Sequence, residues 1–388
     1  MKPEQKTRQD NNQHNKRIVC LIDSLGSGGA QRQMVSLCRA LTEAGHRVTL
    51  ISYFRADRFY EDLLVANNFE HIFIRAGNKL SRILNIRKTL LAINPDAVIS
   101  YLDFPNMINE LSGFGHRWRV IVSERVSLGG KLSLRDWIRF QLHRLSDVVV
   151  CNSWSFSDEL RELAPWLKGK VKTIINTVDL LLFSPATNPL SKEGRIEILV
   201  VASFQEKKNP FSVVHALHHI KQTGISCNLH LSWYGNNLFE NGKPTPMSKC
   251  YLDTVALIEQ HEIQDLITIH DPVREIVDVY RSADGVMLPS FYEGFPNVIC
   301  EAMACGKPIL ASNVCDHSQL VREGENGFLF APHDPKSIAE AIKKFINLPL
   351  EDRIAMGRAS RTLAEKLFDK DVFLAEYMKL IPQKGEGG

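Results

Sequence analysis

The chain has 388 residues, of which 44% are hydrophobic and 23% charged, a globular composition with material for two domains. Its 47 basic and 44 acidic residues leave a net charge of +3, too weak a field to steer nucleic acid, so any anion site must be local. The eight cysteines, at 20, 38, 151, 227, 250, 300, 305 and 315, make no C-x-x-C pair, and no histidines have paired ligand spacing. This argues against zinc and against a disulfide framework, and the thiols are expected to be reduced and mostly buried.

Residues 1–16, MKPEQKTRQDNNQHNK, are polar throughout and read as a disordered leader, without the apolar centre of a signal peptide. No run reaches the roughly 18 apolar residues of a membrane span. A cytoplasmic protein is expected.

RIVCLID, from Arg17 to Asp23, is an apolar β-branched run without alternation, the pattern of a strand buried on both faces of a parallel sheet. It runs into SLGSGGAQRQ, after which Ala30, Met34, Leu37 and Leu41 mark a helix ending at Gly45, and HRVTLIS gives the next strand. A strand, a glycine loop and a crossover helix open a doubly wound α/β domain. Gly26, Gly28 and Gly29 would let backbone N–H groups approach a ligand closely, although a mere tight turn fits the loop equally well. The glycines do not fit G-x-G-x-x-G and no acid ends the second strand, so a nicotinamide cofactor is not expected.

The rhythm continues through EHIFIR, a helix near Leu80 to Ile93, DAVISY, a helix near Met107, and RVIVSER. In the next segment Lys131, Arg135, Arg139 and Arg144 interleave with Leu134, Trp137, Ile138, Phe140 and Leu145. Such a basic amphipathic helix with aromatics is a candidate for lying on anionic lipid headgroups, with Arg135, Trp137 and Arg139 as the contacts. A solvated basic face over a packed one fits the same spacing. VVVCNS and VKTII follow as strands, and FSPATNPLSKEGR, 183–195, breaks the pattern as a domain boundary.

A second α/β series then runs RIEILVVAS, a helix in NPFSVVHALHHIKQTG, CNLHLSWYG, a helix in CYLDTVALIEQHEI, LITIHD and a helix in REIVDVYRSAD. His215, His218 and His219 read as surface or packing residues, and the loop 236–248 has no assignment. KPILASN, DHSQLVREG, NGFLF and DPKSIAEAIKKFIN close the series, and final helices run from Glu351 to Ile381.

Within it, VMLPSFYEGFPNVICEAMACG, 286–306, carries the most chemistry. A short strand breaks into an aromatic and glycine turn, Pro296 sits where a first helical residue would be, and Gly306 where a left-handed cap would be. On the helix between them Val298, Ile299, Ala302 and Met303 share one face, and Asn297 and Glu301 the other, with Glu293 in the loop ahead. A strand end followed by a helix N-terminus favours an anion. Flanking carboxylates would accept hydrogen bonds from neighbouring hydroxyls, and phosphate with hydroxyls describes a nucleotide sugar. Ordinary surface acids over a packed face are the alternative.

With GSGGAQR (26–32), DVVVCNS (147–153), IINTVDLLLF (174–183), EKKNP (206–210) and the Glu-x7-Glu pair Glu293 and Glu301 in this order, the chain resembles family 4 of the retaining, nucleotide-sugar-dependent glycosyltransferases. The resemblance implies an α/β fold of the GT-B type, two facing Rossmann-like doubly wound domains with parallel sheets and a cleft between them. The expected division is a leader at 1–16, an acceptor-side domain at 17–185, a nucleotide-sugar domain at 195–365 and a C-terminal helix at 366–388 crossing back to the first domain.

The resemblance also implies roles. Glu301 would hold the ribose hydroxyls, Glu293 and the backbone around Phe295, Pro296 and Asn297 would meet the donor sugar and diphosphate, and Lys208 would neutralise the leaving diphosphate. Gly28 and Gly29 would line the acceptor side. No metal and no resident cofactor are implied, the nucleotide sugar being a co-substrate; the acceptor would be a glycan, free or lipid-linked, in bacterial surface polysaccharide synthesis.

Two departures stand out. Ala202 and Ser203 occupy the donor-side positions of a usual Gly-Arg, so one positive charge is missing: either Lys207 supplies it at the donor, or an arginine of the first domain reaches across, or activity is weak. Ser123, Glu124 and Arg125 occupy the region of a usual histidine, and no catalytic base is named. A nucleotide-sugar epimerase of the same fold and a non-catalytic nucleotide-sugar-binding protein are the competing functions.

Overall fold

The computed structural model describes residues 15–26, 28–54, 69–116, 118–125, 132–186, 194–224, 228–235, 239–240, 243–273 and 275–381. The chain divides into two compact units, Met1–Thr177 with Lys370–Gly388, and Val178–Asp369. The division falls after Thr177, a few residues ahead of the stretch 183–195. Its physical reason is that Arg281 donates from Nε to Ser184 O and Arg361 donates from Nη1 to Phe183 O, which fastens that stretch to the second unit. Most of the expected leader, through residue 14, lies outside the described residues, while Lys16 already accepts at its carbonyl from Arg47 N at 2.9 Å.

The first unit is a seven-stranded sheet of β1 (Arg17–Leu21), β2 (Arg47–Ser52), β3 (Glu70–Phe73), β4 (Ala97–Tyr101), β5 (Arg119–Glu124), β6 (Val148–Cys151) and β7 (Val171–Thr173). The order is β3-β2-β1-β4-β5-β6-β7, and every pairing is parallel. Both faces of β1 are covered, which is why its sequence lacks polar alternation. Ile18 and Cys20 enter one core with Met34 and Leu37 of the helix Gly29–Glu43, whereas Val19 and Leu21 enter the other with Ile86 and Leu90 of the helix Lys79–Ile93. The helix Lys370–Met378 brings Phe373 and Tyr377 into the first of these cores. Each such side chain contributes about 1.5–3 kcal/mol relative to exposure.

The second unit is built on β8 (Ile196–Val201), β9 (Leu229–Tyr234), β12 (Ile267–His270), β13 (Gly285–Leu288), β14 (Ile309–Ser312) and β15 (Gly327–Phe330), with β10 (Phe239–Glu240) and β11 (Lys243–Pro244) forming a separate two-stranded pair. The main sheet has the order β12-β9-β8-β13-β14-β15, all parallel. One face buries Ile198, Val200, Leu231, Trp233, Met287 and Leu310 against the helices Pro210–Gln222 and Pro335–Ile346. The other receives the helix Asn297–Ala304 on β13 and β14. The stretch without assignment in the sequence holds the start of the helix Pro246–Gln260, where Thr245 and Ser248 form a capping box that sequence patterning had missed. Two parallel, Rossmann-like units of seven and six strands constitute a GT-B-type α/β architecture.

Candidate functional site

In an open parallel sheet, ligands gather outside the carboxyl ends of the strands. At that edge of the second unit, β8 leads through Ala202 and Ser203 into the short 3-10 turn Glu206–Lys208, and β13 leads into Pro289 to Glu293. Asn209 locks these two loops together. It is buried, takes the left-handed conformation with φ 58°, and donates its Nδ2 hydrogens to Pro289 O at 3.1 Å and Pro332 O at 2.7 Å. Asparagine tolerates that backbone at lower cost than most residues. Phe291 N donates to Lys207 O at 2.8 Å, and Ser312 Oγ donates to Ser290 O at 2.6 Å.

The outcome is that Lys208 Nζ sits on Glu293 Oε1, in an ion pair whose partners are only 17% and 14% exposed. Ser290 Oγ donates to the same oxygen at 2.6 Å. Lys208 and Glu293 are therefore brought together by backbone architecture. His317 lies behind them. Its Nδ1 donates to Ser312 O at 2.7 Å, and burial lowers its pKa despite that backbone bond.

The helix Asn297–Ala304 keeps its expected apolar face and differs at its other face and at its start. Pro296 has φ −82° and ψ 80°, outside helical geometry, so it precedes the helix and Asn297 is the first helical residue. Glu301 is 5% exposed and Ile299, Ala302 and Met303 are fully buried, so the expected polar face is enclosed as well. Tyr280, itself fully buried, donates its hydroxyl to Glu301 Oε2 at 3.1 Å. A carboxylate so placed has one oxygen oriented by a fixed donor.

The helix ends as expected at Gly306, φ 69°, with Gly306 N donating to Met303 O at 2.9 Å and Lys307 N to Ala302 O at 3.0 Å. These are the two bonds of a Schellman motif. Arg361 Nη1 reinforces it by donating to Ala304 O at 2.6 Å. Phe295 is buried edge-on to Phe368, with ring centroids 6.4 Å apart, and Asn297 is half-buried at the helix start. Ser203 accepts at Oγ from Gln205 Nε2 at 3.0 Å, and a hydroxyl there supplies no positive charge.

Gly28 and Gly29 belong to the first unit. Gly28 is an extended N-cap residue, φ −76° and ψ 156°, and Gly29 begins the helix, so neither makes a left-handed turn. A Cβ at Gly28 would meet Gln31 Oε1 at 2.2 Å, the far end of a flexible side chain that can turn aside.

In the basic segment a helix forms over Leu134–Leu142, with Ser133 and Asp136 as a capping box, while Lys131 lies outside the described residues. Leu134 is 75% exposed, Trp137 46%, Ile138 50%, and the Arg135 side chain 82%. Arg139 is a correction. Its side chain is 12% exposed and turns inward to Asp103 at 2.6 Å, Asp136 at 3.0 Å and Glu124 at 3.6 Å, because buried Glu124 needs a compensating charge. A second exposed apolar stripe, Leu80, Leu84 and Leu91, lies on the helix Lys79–Ile93 beside exposed Lys88. Its signal was present in the sequence, since that helix contains no acid. No helix among the described residues is long and apolar enough to cross a membrane, and none of their His, Cys, Asp and Glu groups is arranged to hold a metal ion.

Comparison with known proteins places these units. Residues 27–181 match the family model Glycosyltransferase Family 4, and residues 187–363 match Glycosyl transferases group 1. A D-inositol 3-phosphate glycosyltransferase of Paenarthrobacter aurescens is 30% identical over 56% of this chain and 53% of its own length, so the chain spans about half of that relative. A GalNAc-alpha-(1->4)-GalNAc-alpha-(1->3)-diNAcBac-PP-undecaprenol alpha-1,4-N-acetyl-D-galactosaminyltransferase of Campylobacter jejuni is 24% identical over 85% of this chain and 89% of its own. The crystal structure of Anabaena Alr3699/HepE in complex with UDP shares the fold at a TM-score of 0.81 and 17% identity, covering 94% of this chain and 98% of that one. Residues 27–181 are thus a Glycosyltransferase Family 4 domain and residues 187–363 a Glycosyl transferases group 1 domain, which together make this chain a GT-B glycosyltransferase by family.

Proposed function

We propose that the chain moves a hexose or N-acetylhexosamine from a nucleotide diphosphate sugar, a UDP-sugar, to a glycan acceptor with retention of anomeric configuration. The observation that carries this is the preformed contact of Lys208 with Glu293 beside the helix that holds Glu301. Glu301 takes the ribose hydroxyls, Glu293 and the backbone at Phe295 to Asn297 take the donor sugar and diphosphate, and Gly28 and Gly29 serve the acceptor. As the bond from the anomeric carbon to the phosphate oxygen breaks, Lys208 and the N-terminal end of the helix Asn297–Ala304 stabilise the charge developing on the diphosphate. The acceptor oxygen bonds to the same face of the sugar, and its proton passes to the leaving phosphate oxygen. This scheme needs no metal and no side-chain base.

The name of the Campylobacter relative, a transferase acting on a diphospho-undecaprenol glycan, supports a lipid-linked acceptor. With Trp137 and Arg135 exposed, it also supports action on the inner face of a cytoplasmic membrane, in bacterial surface polysaccharide synthesis. Thermal shift across nucleotide sugars identifies the donor, since a ligand at a hundred times its Kd stabilises by about 2.7 kcal/mol. Product anomeric configuration by NMR then tests retention, and an inverted product would refute it.

Ser203 favours a second reading, a nucleotide-sugar-binding protein without turnover. Donor binding with no transfer to any glycan, and with no new sugar nucleotide of the kind an epimerase would release, would select it.

A further inference from the structure

The first unit contains an arginine prepared for an anion. Arg125 follows directly on β5, at the carboxyl edge of its parallel sheet, and its guanidinium lies over the ring of Tyr101, the last residue of β4, at 3.6 Å from the centroid. Three neutral oxygens hold it. Nε donates to Ser123 Oγ at 3.0 Å, Nη1 to Asn176 Oδ1 at 2.6 Å, and Nη2 to Tyr377 Oη at 3.3 Å. Tyr377 in turn shares a hydrogen bond with Tyr101, Oη to Oη, at 2.8 Å. Ser123, Tyr101, Asn176 and Tyr377 are all buried, while Arg125 itself is half-buried.

No carboxylate pairs with this guanidinium among the described residues, although Glu124 is its neighbour in sequence. Glu124 turns the other way, to His143 Nε2 at 3.0 Å and Arg139 at 3.6 Å. Among the described residues, three of the five guanidinium N–H groups have partners, which leaves two for the oxygens of one phosphate. The stacking and the three bonds fix the fork in advance, so an arriving anion does not have to order it.

We propose that Arg125 is a phosphate-binding residue on the first unit, distinct from Lys208, and that it receives a phosphoryl group of one of the substrates. Two molecules could bring that group: the nucleotide sugar, or an acceptor linked through phosphate. Only the choice between them rests on the proposed function; the anion site does not.

Titration calorimetry with inorganic pyrophosphate in protein carrying Lys207→Gln and Lys208→Gln tests the site with the cations of that turn in the second unit removed. Adding Arg125→Gln should weaken binding by about 10- to 100-fold, as for loss of charge-assisted hydrogen bonds. Asn176→Asp, which keeps the arginine but gives it an internal carboxylate, should weaken binding as well. It decides the matter should Arg125→Gln not fold. Pyrophosphate affinity unchanged in both variants overturns the proposal.

The same variants titrated with UDP and with a lipid diphosphate-linked sugar separate the sources. A loss with UDP assigns the phosphate to the donor, and a loss confined to the lipid-linked sugar assigns it to the acceptor. A wild-type protein that binds no UDP-sugar but still binds pyrophosphate through Arg125 refutes the donor reading and leaves this site standing.

Discussion

Lys208 and Ser290 donate to the same oxygen, Oε1 of Glu293, so under the proposed function the lysine is held in place by the residue it would partly leave for a diphosphate. Lys208→Gln should lower kcat/KM by about 10²–10³-fold, the usual effect of removing one donor to developing charge. Glu293→Gln should impair turnover too, and because the two groups touch, the double variant should lose less than the sum of the singles. Steady-state kinetics of the four proteins gives the coupling, and strictly additive losses would mean that the pair acts as two independent groups.

Tyr280 offers a milder probe of Glu301. Tyr280→Phe preserves the buried ring and removes the hydroxyl that donates to Oε2, so stability should fall by about 1 kcal/mol. If Glu301 holds the ribose, KM for the nucleotide sugar should rise while kcat changes little. Donor KM unchanged in both Tyr280→Phe and Glu301→Gln would remove Glu301 from the donor site.

A buried charge cluster sets the pH dependence of stability. Burial of His143 would lower its pKa, but hydrogen bonds with Glu110 at Nδ1 and Glu124 at Nε2 outweigh it and raise the value from 6.5 to about 9. A pKa raised on folding stabilises fully below about pH 6.5, and that contribution is lost as pH rises through about 9. Tm should therefore fall between those limits. In His143→Gln this fall should shrink, with an overall loss of about 3–5 kcal/mol because two buried carboxylates lose a shared cation. Thermal melts from pH 6 to pH 10 check both.

Contact with an anionic membrane should depend on Arg135 and Trp137 and not on Arg139. Arg135→Glu with Trp137→Ala should reduce co-flotation with phosphatidylglycerol vesicles severalfold, whereas Arg139 variants would act by destabilising the fold. Leu80→Ser with Leu84→Ser tests the second apolar stripe in the same assay. Vesicle binding untouched by either pair would eliminate a membrane surface at these helices.

Much of this arrangement was legible in the residues because local chemistry dictated it. Gly306 announces a left-handed helix end, the unbroken apolar run of β1 announces a strand covered on both faces, and the motifs single out Lys208 and Glu293, which the fold brings into contact. What escaped depended on contacts distant in sequence. Spacing alone put Arg139 on the face of Arg135, and only the folded unit reveals the buried acids that draw it inward. Tyr280 stands 21 residues before Glu301 and Tyr377 stands 252 after Arg125, with no periodicity linking either pair. Pro296, with ψ 80°, stands one position ahead of the helix, a shift at a helix end that residue spacing does not resolve.

The ordering of the two units along the chain affects how the protein is made. The second unit is one continuous segment, Val178–Asp369, and can close its core as soon as that segment leaves the ribosome. The first unit emerges earlier yet stays incomplete, since Phe373 and Tyr377 are among the last of the described residues to be translated. Its core must wait, open on one side, through the synthesis of the whole second unit. The same delay reaches Arg125, whose third neutral partner is the hydroxyl of Tyr377, so the fork assembles only near the end of synthesis.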